Sequence, residues 1–309
     1  MRPSEKNKNE TNEEMVNETI NSSNTVMLSD DNDKKTLVKR ILMFLLICLP
    51  ITWLLMAVSY KLTAEGKLEG LATFMLSLSV FMPAITGVIC VLKNKEGIGT
   101  LKLLPGLYKT GWVYLIAIFG GAALSLMTEP FVMLFFPETE KLSNGAMPEL
   151  LFNILLYIVI GVIGSVGILG EEIGWMGYLY PKMEKLCGLI PALIATGLIR
   201  GLWHVVMFMQ MDLKAGVIGF ICLSISNVFL GSVLVLLTKL TNSVYPATIV
   251  HALSNALPSV LFGYLVIDEV LYEKNYIAIQ FVSLIPAVII GTICAVILVK
   301  MSNKKENNE

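Results

Sequence analysis

From about residue 41 onward the chain is a succession of long apolar runs separated by short polar breaks. The runs cover 41–60, 71–92, 112–128, 150–178, 190–209, 215–238, 246–266 and 276–299, each near the ~20 residues with which an α-helix crosses a hydrocarbon core. Backbone immersed in lipid must satisfy its own hydrogen bonds, and a helix does so within one segment. The pattern therefore predicts an all-α fold, a polytopic membrane helix bundle of about eight transmembrane helices. No run repeats another at a fixed offset and the two halves show no paired broken helices, which argues against an inverted-repeat transporter.

The polar stretches set the limits of this bundle. Residues 1–36 mix Asn, Glu, Lys and Ser with almost no aromatic side chains, a composition that cannot bury enough surface to offset its ordering entropy. A disordered cytoplasmic tail is expected there, then the bundle over 37–300 and a second short cytoplasmic tail over 301–309. Of the 47 charged side chains, 20 lie in the first 40 and last ten residues, leaving 27 for the 259 residues between. So apolar a middle excludes a water-soluble domain, and a net charge of −1 supplies no basic face for nucleic acid.

Basic residues orient the bundle. With the N-terminus inside, the inner polar segments carry fourteen Lys/Arg from Lys34 onward, among them Lys93, Lys95, Lys102, Lys182 and Lys239, and the outer ones five, Lys61, Lys67, Lys141, Lys214 and Lys274. Both termini are thus expected in the cytoplasm. No short basic segment leads directly into the first apolar run, so that run is expected to remain as an anchor rather than be removed as a signal peptide. The five cysteines stand singly, without C-x-x-C pairs, and read as small buried hydrophobes.

An ionisable side chain at the bilayer centre costs at least ~2.5 kcal/mol on insertion scales, so each one needs a reason. Those inside the runs are Glu171 and Glu172 in the fourth, Arg200 and His204 in the fifth, and His251 in the seventh; the chain has no other histidine. Glycines 161, 164, 167, 170, 174 and 177 surround the glutamate pair. Their spacing lets a neighbouring backbone approach or the helix bend, either for ordinary packing or for a passage. Trp175 and Trp203 are read either as cavity walls or as interfacial anchors.

The wording around these positions is more specific than their chemistry. The segments read GILGEEIGWMGYLYPKM (167–183), ATGLIRGLWHVVMF (195–208) and YPATIVHALSNALP (245–258). Over about 150–260 they resemble the CPBP family of intramembrane proteases, the CAAX-processing and bacteriocin-immunity (Abi) group. The family's ordered motifs are Glu-Glu-x-x-x-Arg, aromatic-x-x-x-His and His-x-x-x-Asn. Glu171 and Glu172 match the first, His204 the second, and His251 with Asn255 the third. Two positions depart from them: Met176 replaces the motif arginine, and Arg200 stands where an aromatic residue is usual. The resemblance implies an integral protein of a bacterial plasma membrane and an endopeptidase acting on a peptide or protein in or at the bilayer.

The residues themselves suit amide hydrolysis by activated water. Glu171 with His204 can hold and deprotonate the water, while His251 and Asn255, four apart on one helical face, can donate to the oxyanion. Alternatively Glu171, His204 and His251 form a His₂-carboxylate site for a divalent metal such as zinc. Two neighbouring carboxylates repel in low dielectric, so a cation is expected beside them. Met176 cannot supply it; Arg200, four residues before His204 and on the same helical face, can pair with Glu172. Two other functions fit the same residues: a proton-coupled transporter, or a catalytically inactive relative serving as scaffold or immunity protein.

Overall fold

The computed structural model describes residues 33–107, 110–258, 260–304 and 307, and the tail expected over 1–36 lies almost wholly outside them. The chain is almost entirely helical: α1 (Lys6–Ala64, described from Asp33), α2 (Glu69–Lys93), α3 (Gly111–Leu126), α4 (Thr128–Phe135), α5 (Met147–Glu172), α6 (Tyr180–Cys187), α7 (Leu189–Trp203), α8 (Val205–Phe208), α9 (Leu213–Thr241), α10 (Tyr245–Phe262), α11 (Glu269–Val282) and α12 (Ile285–Glu306). A π-helical stretch, Ile173–Leu179, joins α5 to α6. A two-stranded antiparallel ribbon pairs β1 (Glu140–Leu142) with β2 (Leu265–Ile267), Lys141 opposite Val266.

Among the described residues six helical stretches are long and apolar enough to cross a membrane: Asp33–Ala64, Glu69–Lys93, Gly111–Phe135, Met147–Cys187, Leu213–Thr241 and Glu269–Lys304. The expectation of about eight is corrected accordingly. The two runs that fall short are those carrying the second and third motifs. The run expected over 190–209 breaks at His204, leaving α7 with 15 residues, and α10, with 18, interrupts its apolar surface with His251, Asn255 and Pro258.

Burial follows the logic of a lipid solvent. Large apolar side chains stand outside in quantity; along α5 alone Leu151, Phe152, Leu155, Val159, Ile163 and Val166 are exposed. Such a surface is consistent with hydrocarbon around it. Inside, α2 packs on α1 and α5, α10 on α3 and α5, and α9 on α7 and α12. Phe44 stacks on Tyr178 at 5.2 Å between ring centroids and meets Trp175 edge-on at 5.7 Å, and Trp175 in turn meets Trp203 at 6.2 Å. Both tryptophans are therefore core residues, neither cavity walls nor interfacial anchors. Cys48, Cys90 and Cys222 are buried as expected, whereas Cys187 is exposed.

The glycines around the glutamate pair divide into two groups. A Cβ on Gly174 would stand 2.5 Å from the carbonyl oxygen of Pro83, and one on Gly177 would stand 2.7 Å from that of Leu101. These positions let α2 and the turn after it press against the π-helical stretch. Gly164 and Gly167 have nothing within 4 Å of a built Cβ and serve no such approach.

Candidate active site

Glu171 and Glu172 close α5, immediately before the helix widens into its π-helical stretch, a distortion that recurs at functional sites. Glu172 is fully buried, and Arg200 from α7 and His251 from α10 are nearly so. The Arg200 guanidinium donates to both carboxylate oxygens, Nη2 to Oε1 at 3.0 Å and Nη1 to Oε2 at 3.4 Å. His251 Nδ1 lies 2.7 Å from the same Oε1 and 3.3 Å from Arg200 Nη2. The cation expected beside the glutamates is thus in place, and three helices meet in one charged cluster.

A carboxylate accepts, so the His251 nitrogen facing Glu172 carries a hydrogen, and in the neutral imidazole Nε2 then keeps the lone pair. Glu172, doubly bonded to a guanidinium, is the oxygen source that imposes this tautomer, as a buried carboxylate does behind a catalytic imidazole.

On the far side of His251 a cavity of about 500 Å³ opens between α3, α9, α10 and the turn from α11 to α12. Its wall includes His204, His251 and Asn255, together with Ser125, Asn227 and Ser254. His204 reaches it because α7 ends there: its backbone turns to φ −83°, ψ −2°, and its N–H bonds to Gly201 O at 3.0 Å in a tightened last turn. That conformation is common at active-site residues. The imidazole rests edge-on against Trp203, with 4.5 Å between ring centroids.

The sequence-derived set is therefore brought together in part. His204, His251 and Asn255 share one wall, and Glu172, Arg200 and His251 share one cluster, with His251 common to both. Glu171 is buried beside Glu172, and its Oε2 has no hydrogen-bond partner in the protein. It neither lines the cavity nor bonds to His204 among the described residues. No group of three His, Cys, Asp or Glu side chains among the described residues is placed to hold one ion, Glu171, His204 and His251 included.

The reading of ionisable residues passes over Asn227, a polar side chain within the apolar run of α9 that lines the same cavity.

Residues 148–257 match the model of the family described as Type II CAAX prenyl endopeptidase Rce1-like. This CAAX-protease-like domain runs from α5 into α10 and holds Glu171, Glu172, Arg200, His204, His251 and Asn255; it covers less than half of the chain. No curated protein shows a significant match.

Proposed function

We propose that the chain is an intramembrane endopeptidase of the CPBP type, hydrolysing a peptide bond of a membrane-associated substrate with an activated water. The observation that carries this reading is the buried Glu172–Arg200–His251 cluster set behind a polar cavity inside the CAAX-protease-like domain. A buried ion pair is held at a desolvation penalty and does little for stability, so its position behind an imidazole facing a cavity favours a chemical role.

In this reading Glu172 and Arg200 act through His251, holding its ring and tautomer. His251 offers Nε2 as a proton acceptor, a base rather than the oxyanion donor expected from its spacing to Asn255. His204, on the same wall, completes the group around the water, and Glu171, buried beside Glu172 with an unpartnered carboxylate oxygen, joins it by turning towards the cavity. Asn255 donates to the carbonyl oxygen as it becomes an oxyanion. The substrate enters from the bilayer, and both termini lie in the cytoplasm by the bias of basic residues.

The test is cleavage of single-span peptides by the purified full chain in proteoliposomes. Glu171→Gln, His204→Ala and His251→Ala should each abolish cleavage while leaving the protein inserted. Undiminished cleavage by Glu171→Gln would remove this mechanism.

A further inference from the structure

Thr52 lies in α1, outside the matched residues 148–257, within an apolar run and with none of its surface exposed. Its Oγ1 accepts a hydrogen bond from Trp203 Nε1 at 3.1 Å. The neighbouring Trp53 donates from its own Nε1 to Leu202 O at 3.2 Å, in the last turn of α7. Two consecutive residues of α1 are thus bonded to the two residues that precede His204, one as acceptor and one as donor. The Trp203 ring in turn meets the His204 imidazole at 4.5 Å between centroids, the two planes 83° apart.

Packing alone does not call for the bond between Thr52 and Trp203. Valine has the shape of threonine without the hydroxyl and would fill the same place in an apolar helix. Nor must an indole in this core find an acceptor: Nε1 of Trp175, which packs against Trp203, has none in the protein. What the bond does is fix the nitrogen end of the Trp203 indole to α1, and with it the ring against which His204 rests. The two histidines differ in this respect. His251 is held by the Glu172 carboxylate, whereas no described residue hydrogen-bonds to the His204 ring, which therefore takes its orientation from its contacts. It also sits where α7 has just ended, so the helix itself does little to steady it. We propose that Thr52 is a positioning residue for His204 and acts through Trp203, its hydroxyl oxygen holding the indole and the indole holding the imidazole at the cavity wall. Trp53 secures the backbone of the same turn. This role rests on the hydrolytic reading of the site, in which His204 belongs to the group around the water, and it makes α1 a support of the reacting groups from outside the CAAX-protease-like domain.

The experiment has a spectroscopic and a kinetic arm, both on the full chain. The chain has two histidines, so with labelled histidine in lipid nanodiscs each imidazole can be followed separately. Thr52→Val should move the ring-proton signals of His204, which sense the ring current of the adjacent indole, and leave those of His251 in place. Thr52→Ser keeps the acceptor and should leave both unmoved. In proteoliposomes, with a peptide found cleaved in a pool of randomised single-span peptides, Thr52→Val should lower kcat on the order of 10²-fold, the scale of a displacement of about 1 Å, with KM little changed. Thr52→Ser should retain most of the wild-type rate. Thr52→Val added to Trp203→Phe should cost nothing beyond Trp203→Phe alone, because the hydroxyl then has no indole N–H to hold. Equal losses in Thr52→Val and Thr52→Ser, or a loss that follows a lower melting temperature, would overturn the assignment. An active wild type with His204 signals unmoved by Thr52→Val refutes Thr52 alone, whereas a wild type that cleaves nothing refutes the hydrolytic reading and the positioning role with it.

Discussion

Arg200 Nη2 lies 3.0 Å from Glu172 Oε1, inside a cluster in which both side chains are sealed from solvent. Met176 and Arg200 also line one small void, too tight for a water. Position 176, where the motif that the sequence resembles has an arginine, and position 200 therefore open onto the same space.

Arg200→Met should abolish cleavage and destabilise the protein by about 3–5 kcal/mol, as expected when one member of a buried pair is removed. Adding Met176→Arg should restore part of both. The checks are cleavage rate and thermal unfolding in detergent; a double variant no better than the single would show that the two positions do not share one role.

Glu172→Gln tests the tautomer. A carboxamide can present N–H to Nδ1, which favours the opposite tautomer and removes the proton acceptor from the cavity. Cleavage should fall by several orders of magnitude, and ¹⁵N chemical shifts of the imidazole of His251 should report the change. An unaltered ring spectrum would detach Glu172 from the role given to it.

Gly174→Ala should destabilise the protein by about 1–3 kcal/mol, the usual range for overpacking, because the new methyl meets the Pro83 carbonyl. Gly167→Ala, with open space around it, should be neutral or slightly stabilising in a helix. Thermal melts of the two variants, compared directly, decide the point.

Glu140 carries a pH dependence outside the spans. Burial pushes its carboxyl above the ordinary 4.5, and a hydrogen bond with Glu129 opposes that shift without cancelling it. The folded state thus binds a proton that the unfolded state releases. Its stabilising contribution is complete below about pH 4.5 and is lost as pH rises through the folded value. Glu140→Gln should flatten this decline and raise the melting temperature at neutral pH; a parallel decline in the variant would assign it to another group.

How much of this was legible in the sequence follows from the physics of each signal. Apolar runs marked the helical bundle because hydrocarbon leaves the backbone few options. Glu171, Glu172, Arg200, His204 and His251 stood out because charge is rare in such runs. The spacing of Arg200 to His204 was enough to anticipate its contact with Glu172. Less visible were features that depend on tertiary geometry: the end of α7 at His204, the π-helical widening after Glu172, and the contact between His251 and Glu172. The last of these changes the part given to His251, since a four-residue spacing to Asn255 records a shared helical face and nothing about what lies behind it.

The ribbon between β1 and β2 looks minor, yet it sets which helices can move. It ties the chain entering α5 to the chain leaving α10, with flanking bonds from Ser143 N to Tyr264 O at 3.0 Å and from Asp268 N to Thr139 O at 2.9 Å. At their opposite ends the same two helices are fastened by Glu172 and His251. Two helices clasped at both ends form a closed frame and cannot part sideways like a pair of doors. The frame thus holds Glu172 and His251 in register beside the cavity that His251 lines.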